Sequence, residues 1–119
     1  MMKIDKPWSF TDDQSITIGE RVYNVHASIL MAEKLQVKKL ALDDLYIEYP
    51  SPCCNTFRDF VAHIKLVNDA DLSYPILLNE NGAIIDGKHR LAKAILEGRK
   101  TILAKRFIKD PASCFRYKD

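Results

Sequence analysis

Asp86-Gly87-Lys88-His89-Arg90 sets a carboxylate, a glycine, two cations and an imidazole in five consecutive residues. These side chains suit phosphate chemistry. Arg90 offers a planar fork that can grip a phosphate in two places. Lys88 and His89 add further donors. Asp86 admits two roles: an acceptor for turn N–H groups at a helix start, or a base or Mg²⁺ ligand. The stretch follows an apolar run, Ala83-Ile84-Ile85, and opens a segment of helical character, Leu91 to Glu97. A strand–turn–helix junction aims unpaired backbone N–H groups and the positive end of a helix dipole at one spot. That spot suits an anion, above all a phosphate.

The elements that must position this turn can be read outward from it. Tyr74 to Leu78 forms a strand, with Pro75 near its start where a missing N–H is tolerated. Asn81-Gly82 is the strongest hairpin dipeptide in the chain, and Ala83 to Ile85 returns. Beyond the turn, a helix runs to Gly98, a natural left-handed cap, and Thr101 to Phe107 forms a last strand. Upstream, Ser15 to Ile18 and Arg21 to Val25 flank Gly19-Glu20, which suits a II′ turn. Val25, Ile29, Ala32 and Leu35 predict a helix over 26–36. Leu30 and Met31 widen its apolar face, as core or as a dimer contact. A strand over 38–42 and a bend at Asp43-Asp44 follow, then a loop at Pro50-Ser51-Pro52. Thr56 and Asp59 have capping-box spacing. Phe57, Phe60, Val61, Ile64 and Val67 supply the apolar face of the next helix, which Asp69-Ala70-Asp71 ends. Residues 1–14 show no period and read as an N-terminal arm before one domain over 15–119. The order of elements is α+β, with a small mixed sheet, hairpins and helices rather than a purely parallel sheet.

The chain has 119 residues, enough for a single domain with a real core. No apolar run reaches the length of a membrane span, and the first ten residues lack the apolar core of a signal peptide. Three cysteines do not make a disulfide framework and point to a reducing cytoplasm. The net charge of +2 conceals an asymmetry. Residues 86–119 hold ten Lys/Arg against four Asp/Glu, and residues 1–85 hold eight against twelve. A local positive field of this kind draws a nucleotide or a nucleic acid. The pI of 8.4 is below the range of dedicated DNA-binding domains and is only permissive.

From Pro75-Ile76-Leu77-Leu78 through Asn81-Gly82 to Ile84-Ile85-Asp86-Gly87-Lys88-His89-Arg90-Leu91-Ala92-Lys93-Ala94, the chain resembles the ParB/sulfiredoxin superfamily. In that family a hairpin delivers a D-G-x-H-R turn at the start of a helix. The likeness is specific over 74–107 and looser over 37–73. It is nearest to small stand-alone ParB-like proteins of bacteria and phages. The resemblance implies a nucleotide site for ATP or CTP, with His89 and Arg90 on the phosphates and Gly87 allowing close approach. It also implies that Asp86 binds Mg²⁺ or acts as a base, as in the branch that phosphorylates free serine. That branch carries a second acid in the loop after the second strand, where this chain has Asp43, Asp44 and Glu48; Glu48 is the choice made here. Two departures limit the likeness. Lys88 stands where sulfiredoxins have their catalytic cysteine, which argues against sulfinic-acid reduction. The chain ends without the helix-turn-helix domain of partition proteins, which argues against centromere reading.

The remaining candidates have plainer readings. Cys53-Cys54 lack a second pair for zinc and read as small buried apolar residues. His63 reads as a packed helical histidine, and His26 has no partner visible in the sequence. Nucleotide binding at 86–90 is therefore the leading expectation, extending to hydrolysis or phosphoryl transfer. A nucleic-acid-binding module or nuclease is the alternative, using Lys38, Lys39, Lys105 and Arg106 as a track for weak DNA binding. A ligand-free interaction module is the third.

Overall fold

A computed structural model describes residues 14–45 and 55–119. The arm expected over 1–14, Gln14 apart, and Glu48, Cys53 and Cys54 lie outside the described residues. β1 (Ser15–Ile18) and β2 (Arg21–Asn24) form the expected hairpin. Gly19 turns it at φ 61° while Glu20 keeps a negative φ, the II′ pattern. Asn24 then caps α1 (Val25–Met31) by accepting the Ala27 N–H at 2.8 Å. α1 stops at Met31 rather than near residue 36. Ala32 and Leu35 still pack inward, but from a turn whose Ala32 and Glu33 carbonyls accept Lys105 Nζ at 3.1 and 3.2 Å. Leu30 and Met31 are exposed.

β3 (Lys38–Ala41) leads into a 3-10 turn, Leu42–Asp44. α2 (Phe57–Asp69) is capped as its sequence predicts, with Thr56 Oγ1 accepting the Asp59 N–H at 3.0 Å. Its end is held by Lys93, whose Nζ donates to the carbonyls of Asn68 and Ala70 at 2.9 and 2.7 Å. The apolar face of this helix does not reach the core: no residue of α2 is buried.

β4 (Ile76–Leu78) and β5 (Ile84–Asp86) form the second hairpin. Its loop differs from a two-residue Asn-Gly turn, because only Gly82 takes a positive φ, 88°. Instead the Asn79 N–H donates to the Ala83 carbonyl, the Asn79 carbonyl accepts from the Gly82 N–H, and the Asn79 Oδ1 accepts from the N–H groups of Asn81 and Ala83. The result is a three-residue loop closed by a left-handed glycine. α3 (Lys88–Leu96) ends at Gly98, φ 70°, where Arg99 N–H reaches the Ala94 carbonyl and Gly98 N–H reaches Ile95. This is a Schellman cap. β6 (Thr101–Arg106), a 3-10 turn Ala112–Cys114, and β7 (Phe115–Tyr117) complete the described chain.

The strands make two sheets. One is antiparallel, in the order β1-β2-β7; the other is mixed, in the order β3-β6-β4-β5, with β4 and β6 parallel. β4 is buried on both faces. Ile76 and Leu78, with Ile84, Ile102 and Ala104, pack on Leu91 and Ala94 of α3. Leu77 and Ile85 point the other way, to Tyr23, Val25 and Phe107. α3 therefore covers one face of the mixed sheet, and α1 with the small sheet covers the other. Among the described residues the outcome is an α+β arrangement of two small sheets and three α-helices, and none of these helices is long and apolar enough to cross a membrane.

A buried polar cluster joins the two sheets. The carboxylate of Asp110, fully buried, accepts from Arg21 Nη1 at 2.8 Å, from the Tyr23 hydroxyl and from the Glu80 N–H at 2.8 Å. Arg21 also pairs with Glu80 at 2.8 Å and lies 4.3 Å over the Phe115 ring. Burial first, then Asp110, pushes the Tyr23 phenol up. The Arg21 guanidinium holds the Glu80 carboxyl below its usual range. Removing Asp110 leaves Tyr23 and the Glu80 amide without their acceptor. We predict that Asp110→Ala lowers unfolding free energy by about 3 kcal/mol in a denaturant titration. A loss under about 1 kcal/mol would mean that water replaces the carboxylate at little cost.

Candidate functional site

The Asp86–Arg90 turn is built as a strand, a glycine and a helix start. β5 delivers Asp86, Gly87 takes φ 110° and ψ 19°, and α3 begins at Lys88. A Cβ at Gly87 would lie 2.5 Å from Ile76 Cγ2 and 2.8 Å from its Cβ. The glycine is thus required by the close approach of the turn to β4, as well as by its φ. No side chain caps α3. Leu91 N–H bonds the Gly87 carbonyl at 2.9 Å, so the amides of 87–90 are the first-turn donors left over by helix geometry.

Asp86, Gly87, His89 and Arg90 line one cleft of about 700 Å³. Tyr74 and the end of α2, Leu66 to Ala70, stand across it, and Lys105 of β6 reaches it from below. Lys88 is exposed and lies outside the lining. Asp43 and Asp44, on the turn after β3, are exposed and also outside it.

Arg90 Nη2 donates to Asp86 Oδ2 at 2.9 Å, one helical turn away. Glu97, the other sequence neighbour that could pair with Arg90, bonds Arg99 instead. The Arg90 side chain is only 20% exposed, and its Nε is buried with no hydrogen-bond partner among the described residues. Such an orphan donor is costly unless something accepts from it. His89 is also engaged: its Nε2 lies 3.0 Å from Nδ1 of His63 on α2, with the rings stacked at 5.2 Å. One ring donates and the other accepts, so this contact needs at least one neutral imidazole. Burial first, and then His63, push His89 below its ordinary value of 6.5.

Three carboxylates, Asp69, Asp71 and Asp86, share the cleft with Arg90 and Lys105. Hydrogen bonds from Ser73 hold Asp71 below its usual range. Among the described residues no three His, Cys, Asp or Glu side chains converge as a metal site. The DNA track of the sequence reading is split. Lys105 is tied to the carbonyls of Ala32 and Glu33 in the turn after α1, while its neighbour Arg106 donates to the Glu80 carbonyl at 2.7 Å. Neighbouring strand residues point to opposite faces, so the two do not form one stripe.

The sequence did not single out Tyr74 and Asp71, which line this cleft, or His63 as the partner of His89. No local motif marks them, because α2 and the loop after it reach the cleft only through packing against α3.

The His63–His89 contact generates a pH test. A folded-state value below that of the unfolded chain means stability is complete above about pH 6.5 and falls as pH drops through the depressed value. We predict that His89→Gln reduces the fall in Tm between about pH 7 and pH 5. An unchanged pH slope in the variant would assign that titration to other groups.

No protein-family model, curated protein or solved structure matches the chain.

Proposed function

We propose that the cleft binds the phosphates of a nucleoside triphosphate, ATP or CTP, on the first turn of α3, in a domain of the ParB/sulfiredoxin type. The observation that carries this reading is the uncapped start of α3, opening through Gly87 onto a cleft of about 700 Å³ beside the unpartnered Nε of Arg90. That volume is within the common range of small-molecule sites. Helix-start amides and an arginine fork are complementary to phosphate oxygens. His89 adds a neutral ring donor. Lys88, exposed at the first helical position, can contact a phosphate that projects from the cleft.

The acids of the cleft also bear on the ligand. Three carboxylates oppose a bare polyphosphate, whereas one carried by Mg²⁺ brings its own countercharge. Mg²⁺ is commonly held by one or two carboxylates together with substrate phosphates. Asp86 is the residue proposed to serve as that ligand, or as a base if phosphate is hydrolysed or transferred. Glu48 is the proposed second acid. In this reading the protein works in the cytoplasm, where nucleotides are abundant.

Thermal-shift measurements with ATP, CTP, GTP and a short DNA duplex, with and without Mg²⁺, test the proposal, because a ligand of the folded state raises its apparent stability. We expect a triphosphate to raise Tm. Replacement of Arg90 by Ala should leave the fold intact and weaken that binding by about 1.5–3 kcal/mol, the scale of a charge-assisted hydrogen bond. The DNA reading predicts only weak binding, at about 10⁻⁴ to 10⁻⁶ M and steeply salt-dependent. Equal nucleotide affinity in the parent and the Arg90 variant, or no shift with any nucleotide, would sink the phosphate-site reading.

A further inference from the structure

α2 has a strong apolar pattern and buries none of it. Phe57 is 78% exposed, Phe60 48%, Val61 47% and Ile64 44%; Ile95 and Leu96 of α3 are 54% and 75% exposed. Phe60, Ile64, Ile95 and Leu96 line one groove of about 440 Å³ between the two helices. Phe57 extends this surface, its ring 6.2 Å from that of Phe60. With about 150–250 Å² for each aromatic side chain and less for the aliphatic ones, the exposed part of these six residues is on the order of 600 Å². The largest apolar patch of an ordinary monomer is about 300–600 Å². Each partner in a standard interface contributes about 800 Å².

We propose that this face pairs with a second copy of the chain, the α2–α3 layer of each packing on the other about a two-fold axis. Three features favour a like partner. The area is close to what one side of a stable dimer supplies. The surface combines the two most exposed of these side chains, Phe57 and Leu96, with a groove between the helices, so that projecting groups and a recess lie on one patch. A two-fold contact can seat the projecting groups of one copy in the groove of the other, because the same patch meets itself. The charges on α2 and α3 are of both signs: Arg58, Lys65, Lys88, Arg90 and Lys93 against Asp59 and Asp69, with Glu97 just past α3, and Arg90 and Lys93 are engaged with Asp86 and with the carbonyls at the end of α2. A flank of one sign would repel its own copy, whereas a mixed flank around an apolar centre matches the usual rim and core of an interface. Two helices from each copy make a four-helix layer of the kind that buries apolar stripes. The pairing surface adjoins the candidate site, since His63 lines the groove while touching His89. The proposal does not depend on nucleotide binding.

Sedimentation velocity on the full chain from about 1 to 100 µM tests the pairing, a range that brackets micromolar dissociation constants. The expected result is a monomer–dimer equilibrium. Ile64→Glu and Leu96→Lys should each weaken it by at least about tenfold, with unchanged circular dichroism because both side chains are exposed. A native chain that stays monomeric throughout overturns the proposal, whether another segment of the chain or a different protein covers the face. Variants that dimerise as tightly as the native chain overturn it too. Should Ile64→Glu fail to fold, the native titration and Leu96→Lys still decide.

Discussion

The contact of Gly87 with Ile76 fixes the geometry on which the candidate site depends. The turn out of β5 crosses so close to β4 that a single added carbon would overlap the Ile76 side chain. The chain accepts this because Ile76 must be fully buried under Leu91 and Ala94, which requires α3 to lie tight against the mixed sheet. The left-handed backbone at Gly87 is what lets β5 reverse into that helix within one residue. Asp86 and Arg90 then fall one helical turn apart and pair, and the start of α3 lines the cleft. Core packing and the geometry of the candidate site share one constraint.

A second constraint is electrostatic and holds the two sheets together. Asp110 lies far along the chain from Arg21 and Tyr23, yet its buried carboxylate is their common acceptor. Burying a carboxylate is favourable only when its lone pairs are used. Here an arginine, a phenol and a backbone amide use them. The cluster ties the first hairpin to the loop after β4 and to the approach to β7. In doing so it fixes the small sheet against the face of the mixed sheet opposite α3.

α2 belongs to neither core. It is held at its end by Lys93, along its flank by the His63–His89 contact, and by its own Thr56 cap. These are polar and local attachments. They leave the apolar face of α2 outward, while its last turn forms one wall of the cleft. A helix attached this way can adjust without disturbing the buried sheet, since fewer buried contacts oppose its movement.

Much of the local structure was legible in the residues. The Thr56 cap, the Gly98 stop, the first hairpin with Gly19, and the strand–glycine–helix order at 84–90 follow from short-range rules of backbone conformation and capping, which neighbours along the chain determine. The α+β class followed from the order of these elements. What the sequence did not reveal depends on partners distant along the chain. The carbonyls of Ala32 and Glu33, just past the short α1, are taken by Lys105, and β7 forms by pairing with β2. The apolar stripe of α2 is legible in the sequence, but what covers it is not, because periodicity reports amphipathicity and not the identity of the covering surface. Arg90 was legible as a cation in a turn within reach of Asp86, one helical turn away, but its orphan Nε depends on burial in the folded chain. His63 meets His89 only because α2 packs beside α3. The sequence by itself determined which segments curl, extend or turn, since those preferences are local; tertiary packing decided which side chains share a cleft and which apolar face stays open, since those depend on surfaces brought together from distant parts of the chain.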